Sequence, residues 1–89
     1  MISQTAEYAL RAVVCLAQNA DKPHTTVEIA KWTKVPEHYL SKVLLALAKH
    51  EVVTSKKGLH GGYVLAQSPE DLALLEVINA VDPIKHIKS

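Results

Sequence analysis

Eighty-nine residues are enough for one small domain, and 48% apolar content with no Phe and one Trp gives it an aliphatic core. The lone Cys15 rules out an intrachain disulfide and favours a reducing compartment. A formal charge of +1 hides an uneven distribution. Residues 31–60 hold Lys31, Lys34, Lys42, Lys49, Lys56 and Lys57 against only Glu37 and Glu51, whereas both flanks are net acidic.

The first element is a helix from about Ser3 to Asn19. Ile2, Ala6, Ala9, Leu10, Val13, Leu16 and Ala17 recur at three- and four-residue spacing along one face, and Asp21-Lys22-Pro23 ends it. Its longest apolar run, Ala12 to Ala17, is too short to cross a bilayer. Glu7 and Arg11 interrupt any signal pattern, so a cytoplasmic chain is expected, away from membranes. Glu7 reads as a first-turn acid favourable to the helix dipole, and Cys15 as a buried thiol.

Thr25 and Glu28 stand at capping-box spacing and open a short second helix that ends by Thr33. Pro36, suited to a first helical position, then starts a third helix running to about His50. Its Leu40, Val43, Leu44 and Leu47 mark a buried stripe, and Glu37, His38, Ser41, Lys42 and Lys49 are left on the other face. Two helices this close, joined by a tight turn, predict a helix-turn-helix.

All three glycines, Gly58, Gly61 and Gly62, fall in Lys56-Lys57-Gly58-Leu59-His60-Gly61-Gly62. The β-prone runs on either side, Glu51 to Ser55 and Tyr63 to Ala66, predict a hairpin with a long lysine-bearing tip. Ser68 as N-cap and Pro69 in the first turn then open a last helix, carrying Leu72, Leu74, Leu75, Ile78 and Val81 and stopped by Asp82-Pro83. The expected class is mainly α with a small β-hairpin, a winged helix-turn-helix DNA-binding domain over residues 1–82 with a short tail at 83–89 expected to begin a sensor or dimerisation region.

This arrangement suits a duplex. Such a third helix lies in the major groove with its N-terminal exposed residues at base edges, which selects His38, Ser41 and Lys42, with Tyr39 supporting a phosphate. The N–H groups at the Thr25–Thr26 helix start offer a further phosphate site. Lys56, Lys57 and His60, with Gly61 and Gly62 allowing close approach, place the wing at the neighbouring minor groove. The alternative is a winged helix used as a protein–protein interaction module without DNA binding. Catalysis is not expected, because the five histidines are scattered and no cysteine stands at zinc spacing.

Taken in order, Ile2-Ser3-Gln4-Thr5-Ala6-Glu7-Tyr8-Ala9-Leu10-Arg11-Ala12, Glu28-Ile29-Ala30, Pro36-x-x-Tyr39-Leu40-Ser41-Lys42-Val43-Leu44, Gly58-x-x-Gly61-Gly62-Tyr63-x-Leu65 and Leu74-Leu75-Glu76-Val77-Ile78 resemble the Rrf-two family of bacterial regulators. The resemblance implies a transcriptional regulator, usually a repressor-type homodimer on a palindromic DNA operator. It implies base-facing positions at His38, Ser41 and Lys42, a wing position at Lys57, and backbone contacts from Tyr39 and Thr25–Thr26. Many members hold an iron–sulfur cluster through three cysteines placed after the segment that ends here. With no cysteine after Cys15, no cofactor is expected in this chain, and a cluster requires cysteines beyond Ser89. Glu7 matches a position from which some members supply a carboxylate to the partner's cluster.

Overall fold

A computed structural model describes residues 3–59, 61–68 and 70–81. The expectations for Ile2, His60, Pro69 and the tail from Asp82 lie outside those residues. The element order is α1 (Gln4–Gln18), α2 (Thr26–Thr33), α3 (Glu37–Lys49), β1 (Val53–Lys56), β2 (Gly62–Leu65) and α4 (Leu74–Val81).

Local chemistry sets the first three boundaries. Ser3 caps α1 by accepting the Ala6 N–H at 3.1 Å, with Glu7 in the first turn. Thr25 and Glu28 close the reciprocal box at the start of α2: Thr25 Oγ1 accepts the Glu28 N–H at 3.2 Å, and Glu28 Oε1 accepts the Thr25 N–H at 3.0 Å. Pro36 is the N-cap of α3 and not its first residue, so the helix begins one position later than expected, at Glu37. Its extended ψ of 134° turns its carbonyl onto the Tyr39 and Leu40 N–H groups.

The exit from α3 explains why β1 begins at Val53 and not at Glu51. The Glu51 N–H donates to the Ala48 carbonyl at 3.0 Å and the Val52 N–H to the Leu47 carbonyl at 2.8 Å, the pair of hydrogen bonds of a Schellman motif. Glu51 holds the left-handed conformation of that motif at φ 61°, which in most proteins falls to glycine. The chain leaves the turn directly into the antiparallel pair Val53↔Leu65, Thr54↔Val64, Ser55↔Tyr63 and Lys56↔Gly62. Only the base of β1 is buried, at Val53, while Thr54, Ser55 and Lys56 are exposed as the hairpin leaves the body.

The last helix starts later than Ser68-Pro69 implied. Ser68 Oγ donates to Asp71 Oδ2 and the Asp71 N–H returns to the Ser68 carbonyl, so the serine hydroxyl is engaged as a donor to a side chain before the helix begins. The helical start is supplied by Glu76, whose carboxylate accepts the Ala73 N–H at 3.2 Å.

Helices α1, α3 and α4 pack against one another, with α2 on α1 and α3. Leu16, Ile29, Leu40, Leu44 and Leu47 are the largest side chains wholly out of water, joined by Val52, Val53 and Val77. Each such aliphatic side chain contributes about 1.5–3 kcal/mol on leaving water. The expected α3 stripe is this core. The hairpin, with α2 and α3 before it, makes the architecture a winged helix-turn-helix, as the element order predicted.

Candidate nucleic-acid interface

Lys34 closes α2 in the left-handed conformation at φ 64°, and with Val35 and Pro36 forms the turn into α3. Buried Val35 pins that turn to the core, while Lys34, Pro36, Glu37 and His38 face solvent. His38 and Lys42 lie one helical turn apart, both exposed, with Ser41 half-buried beside them. The two also line a groove of about 450 Å³ with Thr5, Tyr39, Val43 and Val81.

Tyr39 is held differently from its neighbours. Its hydroxyl hydrogen-bonds Thr5 Oγ1 on α1, and its ring stands edge-on to Tyr8 with centroids 5.1 Å apart. The side chain thus ties the start of α3 to α1, and a phosphate would share an already engaged hydroxyl.

Thr25 and Glu28 satisfy each other's N–H groups, which leaves the Thr26 and Val27 N–H as the open donors of the α2 start. Lys56 ends β1 opposite Gly62, and Lys57 follows it, exposed, into the tip. Leu59 is 97% exposed there.

The three glycines serve three purposes. Gly58 has φ 114° with nothing within 4 Å of a built Cβ, so only its backbone conformation demands glycine. At Gly61 a Cβ would lie 2.6 Å from the Lys56 carbonyl oxygen. At Gly62, φ 144°, it would lie 2.4 Å from the carbonyl carbon and oxygen of His24. Gly61 is therefore required by contacts inside the wing and Gly62 by the close approach of His24 to β2, a demand separate from any approach to a partner.

His24 is the residue that the sequence reading passed over. Its backbone exchanges both hydrogen bonds with Tyr63, the His24 N–H to the Tyr63 carbonyl at 3.1 Å and the Tyr63 N–H to the His24 carbonyl at 2.8 Å. The segment before α2 thereby joins the free edge of β2 and anchors the wing to the helix-turn-helix. The imidazole is buried, edge-on to Trp32 at 4.9 Å. A single histidine between Pro23 and Thr25 carries no local signal of this, because the partner strand arrives from residue 63.

Lys31, Lys34, Lys42, Lys49, Lys56 and Lys57 are all exposed, and among the described residues none lies within 4.0 Å of a carboxylate. Their charge is uncompensated nearby and concentrated on the helix-turn-helix and wing. On the first helix, by contrast, Glu7 is engaged by Arg11 at 2.9 Å. Burial pushes the Cys15 thiol above its ordinary value of 9.0, keeping the sulfur protonated and neutral.

An exposed, unpaired run of lysines on a helix-turn-helix with a basic wing defines the class of winged-helix nucleic-acid readers. The chain matches the Rrf2 family model, described as an iron-dependent transcriptional regulator, over residues 2–89, and it belongs to that family. An HTH-type relative from Aquifex aeolicus strain VF5 is 41% identical over 78 residues, covering 88% of this chain and 54% of the relative. Among solved structures, an IscR from T. potens superposes with a TM-score of 0.86 at 30% identity, covering 92% of this chain and 61% of that one. CymR, the global cysteine regulator of B. subtilis, gives 0.87 at 29%, covering 92% and 64%. The chain thus spans little more than half to about two thirds of the length of these relatives.

The family's iron dependence finds no matching site here. No three His, Cys, Asp or Glu side chains converge among the described residues, Cys15 is a buried neutral thiol, and Glu7 is paired. These residues do not fit an iron or iron–sulfur centre. No helix among the described residues is long and apolar enough to cross a membrane.

Proposed function

We propose that this chain is the DNA-reading part of a transcriptional regulator of the repressor type, with α3 in the major groove and the wing at the adjacent minor groove. The observation that carries the reading is the set of six exposed lysines, on α2, its exit turn, α3 and the wing, that have no carboxylate partner among the described residues. In this reading His38, Ser41 and Lys42 face bases, Lys56, Lys57 and His60 meet the backbone or minor groove, and Thr25–Thr26 holds a phosphate at the start of α2. Tyr39 acts mainly by fixing the start of α3. Gly61 and Gly62 keep the wing in its bound shape. The working unit is a cytoplasmic homodimer on a palindromic operator, with half-sites about one helical turn apart. An iron–sulfur cluster, where the whole protein has one, takes its cysteines from outside these 89 residues. The domain is a reader without a catalytic role.

The test is fluorescence anisotropy of the chain on labelled duplex DNA over a range of salt. Affinity is expected to fall steeply, with a log–log slope close to −0.9 per neutralised phosphate. Lys57→Ala is expected to weaken binding uniformly across sequences and to reduce that slope by about one, whereas Lys42→Ala alters sequence preference. Affinity that stays flat with salt and across both substitutions would overturn the reading in favour of a protein-interaction module.

A further inference from the structure

His24 sits where β2 of the wing, the end of α1 and the start of α2 meet, and its side chain is only 4% exposed. Nε2 lies 2.9 Å from the Asn19 carbonyl oxygen, and since a carbonyl only accepts, Nε2 carries the proton. In the neutral ring Nδ1 is then a bare lone pair. It makes no hydrogen bond and faces Glu28 Oε1 at 3.5 Å. Two acceptors thus oppose each other, one on a buried ring and the other on a half-exposed carboxylate. The imidazolium donates to the Asn19 carbonyl and to the Glu28 carboxylate at once.

Glu28 is also the third residue of α2, beside the open N–H groups of Thr26 and Val27. An unneutralised carboxylate there opposes an incoming phosphate, and a cationic His24 cancels it. We propose that His24 is a proton-sensitive positioning residue: proton uptake by its imidazole neutralises Glu28 and strengthens the grip of the α2 start on a DNA phosphate. The inference rests on the DNA reading above and adds to it a dependence on pH.

The other charged groups facing the imidazole fit this scheme. Asp21 Oδ1 is 4.0 Å from Nε2 and three-quarters exposed, so it favours the cation weakly through solvent. Lys22, from the same loop, acts on Glu28. Asn19 on the α1 side, Trp32 on α2 and the Tyr63 backbone bring no further charge against the ring. The Thr25 N–H, and after it His24, hold the Glu28 carboxyl below its ordinary value of 4.5, so it stays ionised while imidazoles titrate.

The experiment compares the chain with Glu28→Gln, which keeps an amide oxygen for the Thr25 N–H and retains every histidine. Affinity for a labelled mixed-sequence duplex is measured at fixed salt from mildly alkaline to mildly acidic pH. At alkaline pH the variant is expected to bind about two- to fivefold more tightly than the parent. As the pH falls that ratio closes towards one, because His24 then neutralises Glu28 in the parent. Trp32, the one tryptophan, stands against the imidazole and gives a second readout. An imidazolium quenches indole emission, so the fluorescence drops over the same pH interval in which the ratio closes. A ratio that is constant with pH, or Trp32 emission that does not titrate there, overturns the inference while leaving DNA binding intact. A parent that binds no duplex at any pH overturns the DNA reading itself.

Discussion

Substituting alanine at Gly62 tests whether the wing is anchored through His24. The new methyl group would fall 2.4 Å from the His24 carbonyl carbon and oxygen and 2.8 Å from its nitrogen, all backbone atoms that no rotamer change can move aside. The φ of 144° adds strain of about 1–3 kcal/mol for a residue with a side chain. Relief requires the strand to separate from His24, which gives up the 3.1 and 2.8 Å bonds to Tyr63 at about 0.5–1.5 kcal/mol each. Gly62→Ala is therefore expected to destabilise the fold by about 2–6 kcal/mol, a large share of the roughly 5–15 kcal/mol that holds a domain together. Gly58→Ala is the internal control, since it meets nothing within 4 Å and bears the conformational strain alone. Urea unfolding followed by circular dichroism and Trp32 emission measures both. Equal losses at the two sites, or a loss below about 1 kcal/mol at Gly62, would refute the steric argument.

Other expectations follow from single features of the fold. Leu44, fully buried on α3, is expected to cost about 2–5 kcal/mol on truncation to alanine, read as a lower denaturation midpoint at unchanged slope. Glu51→Gly should stabilise the domain by about 0.5–1 kcal/mol, because glycine adopts the left-handed exit of α3 without the Cβ penalty; a lower melting temperature would contradict it. The raised thiol of Cys15 contributes stability that is whole below pH 9.0 and declines as alkaline pH ionises the unfolded chain first. The same burial predicts that a disulfide reagent labels Cys15 slowly in the native protein and quickly in denaturant.

Much of this molecule is legible from short stretches of sequence, and the reason is range. The α3 stripe of Leu40, Val43, Leu44 and Leu47 repeats every turn, and the Thr25–Glu28 box spans three residues, so both report structure formed by near neighbours. The lysine-rich middle is likewise a property of composition alone. Ser68-Pro69 misled for the same reason: its local pattern matches a helix start, yet the serine hydroxyl turns to Asp71 and the helix waits for Glu76 to cap Ala73.

The sequence by itself determined the order of elements, the buried stripe of α3 and the concentration of positive charge on the helix-turn-helix and wing, but not the buried side of α4, where Val77 and Ala80 are enclosed and Leu75, expected on the apolar side, is 65% exposed. Periodicity, capping and charge are properties of neighbouring residues. Tertiary structure alone decided that Tyr39 is bound to Thr5, that Gly62 is glycine because His24 lies against it, and that His24 is buried beside Glu28. Each of those facts requires two segments more than thirty residues apart, or a ring packed beneath a returning strand, to come together. Such contacts exist only once the core has closed.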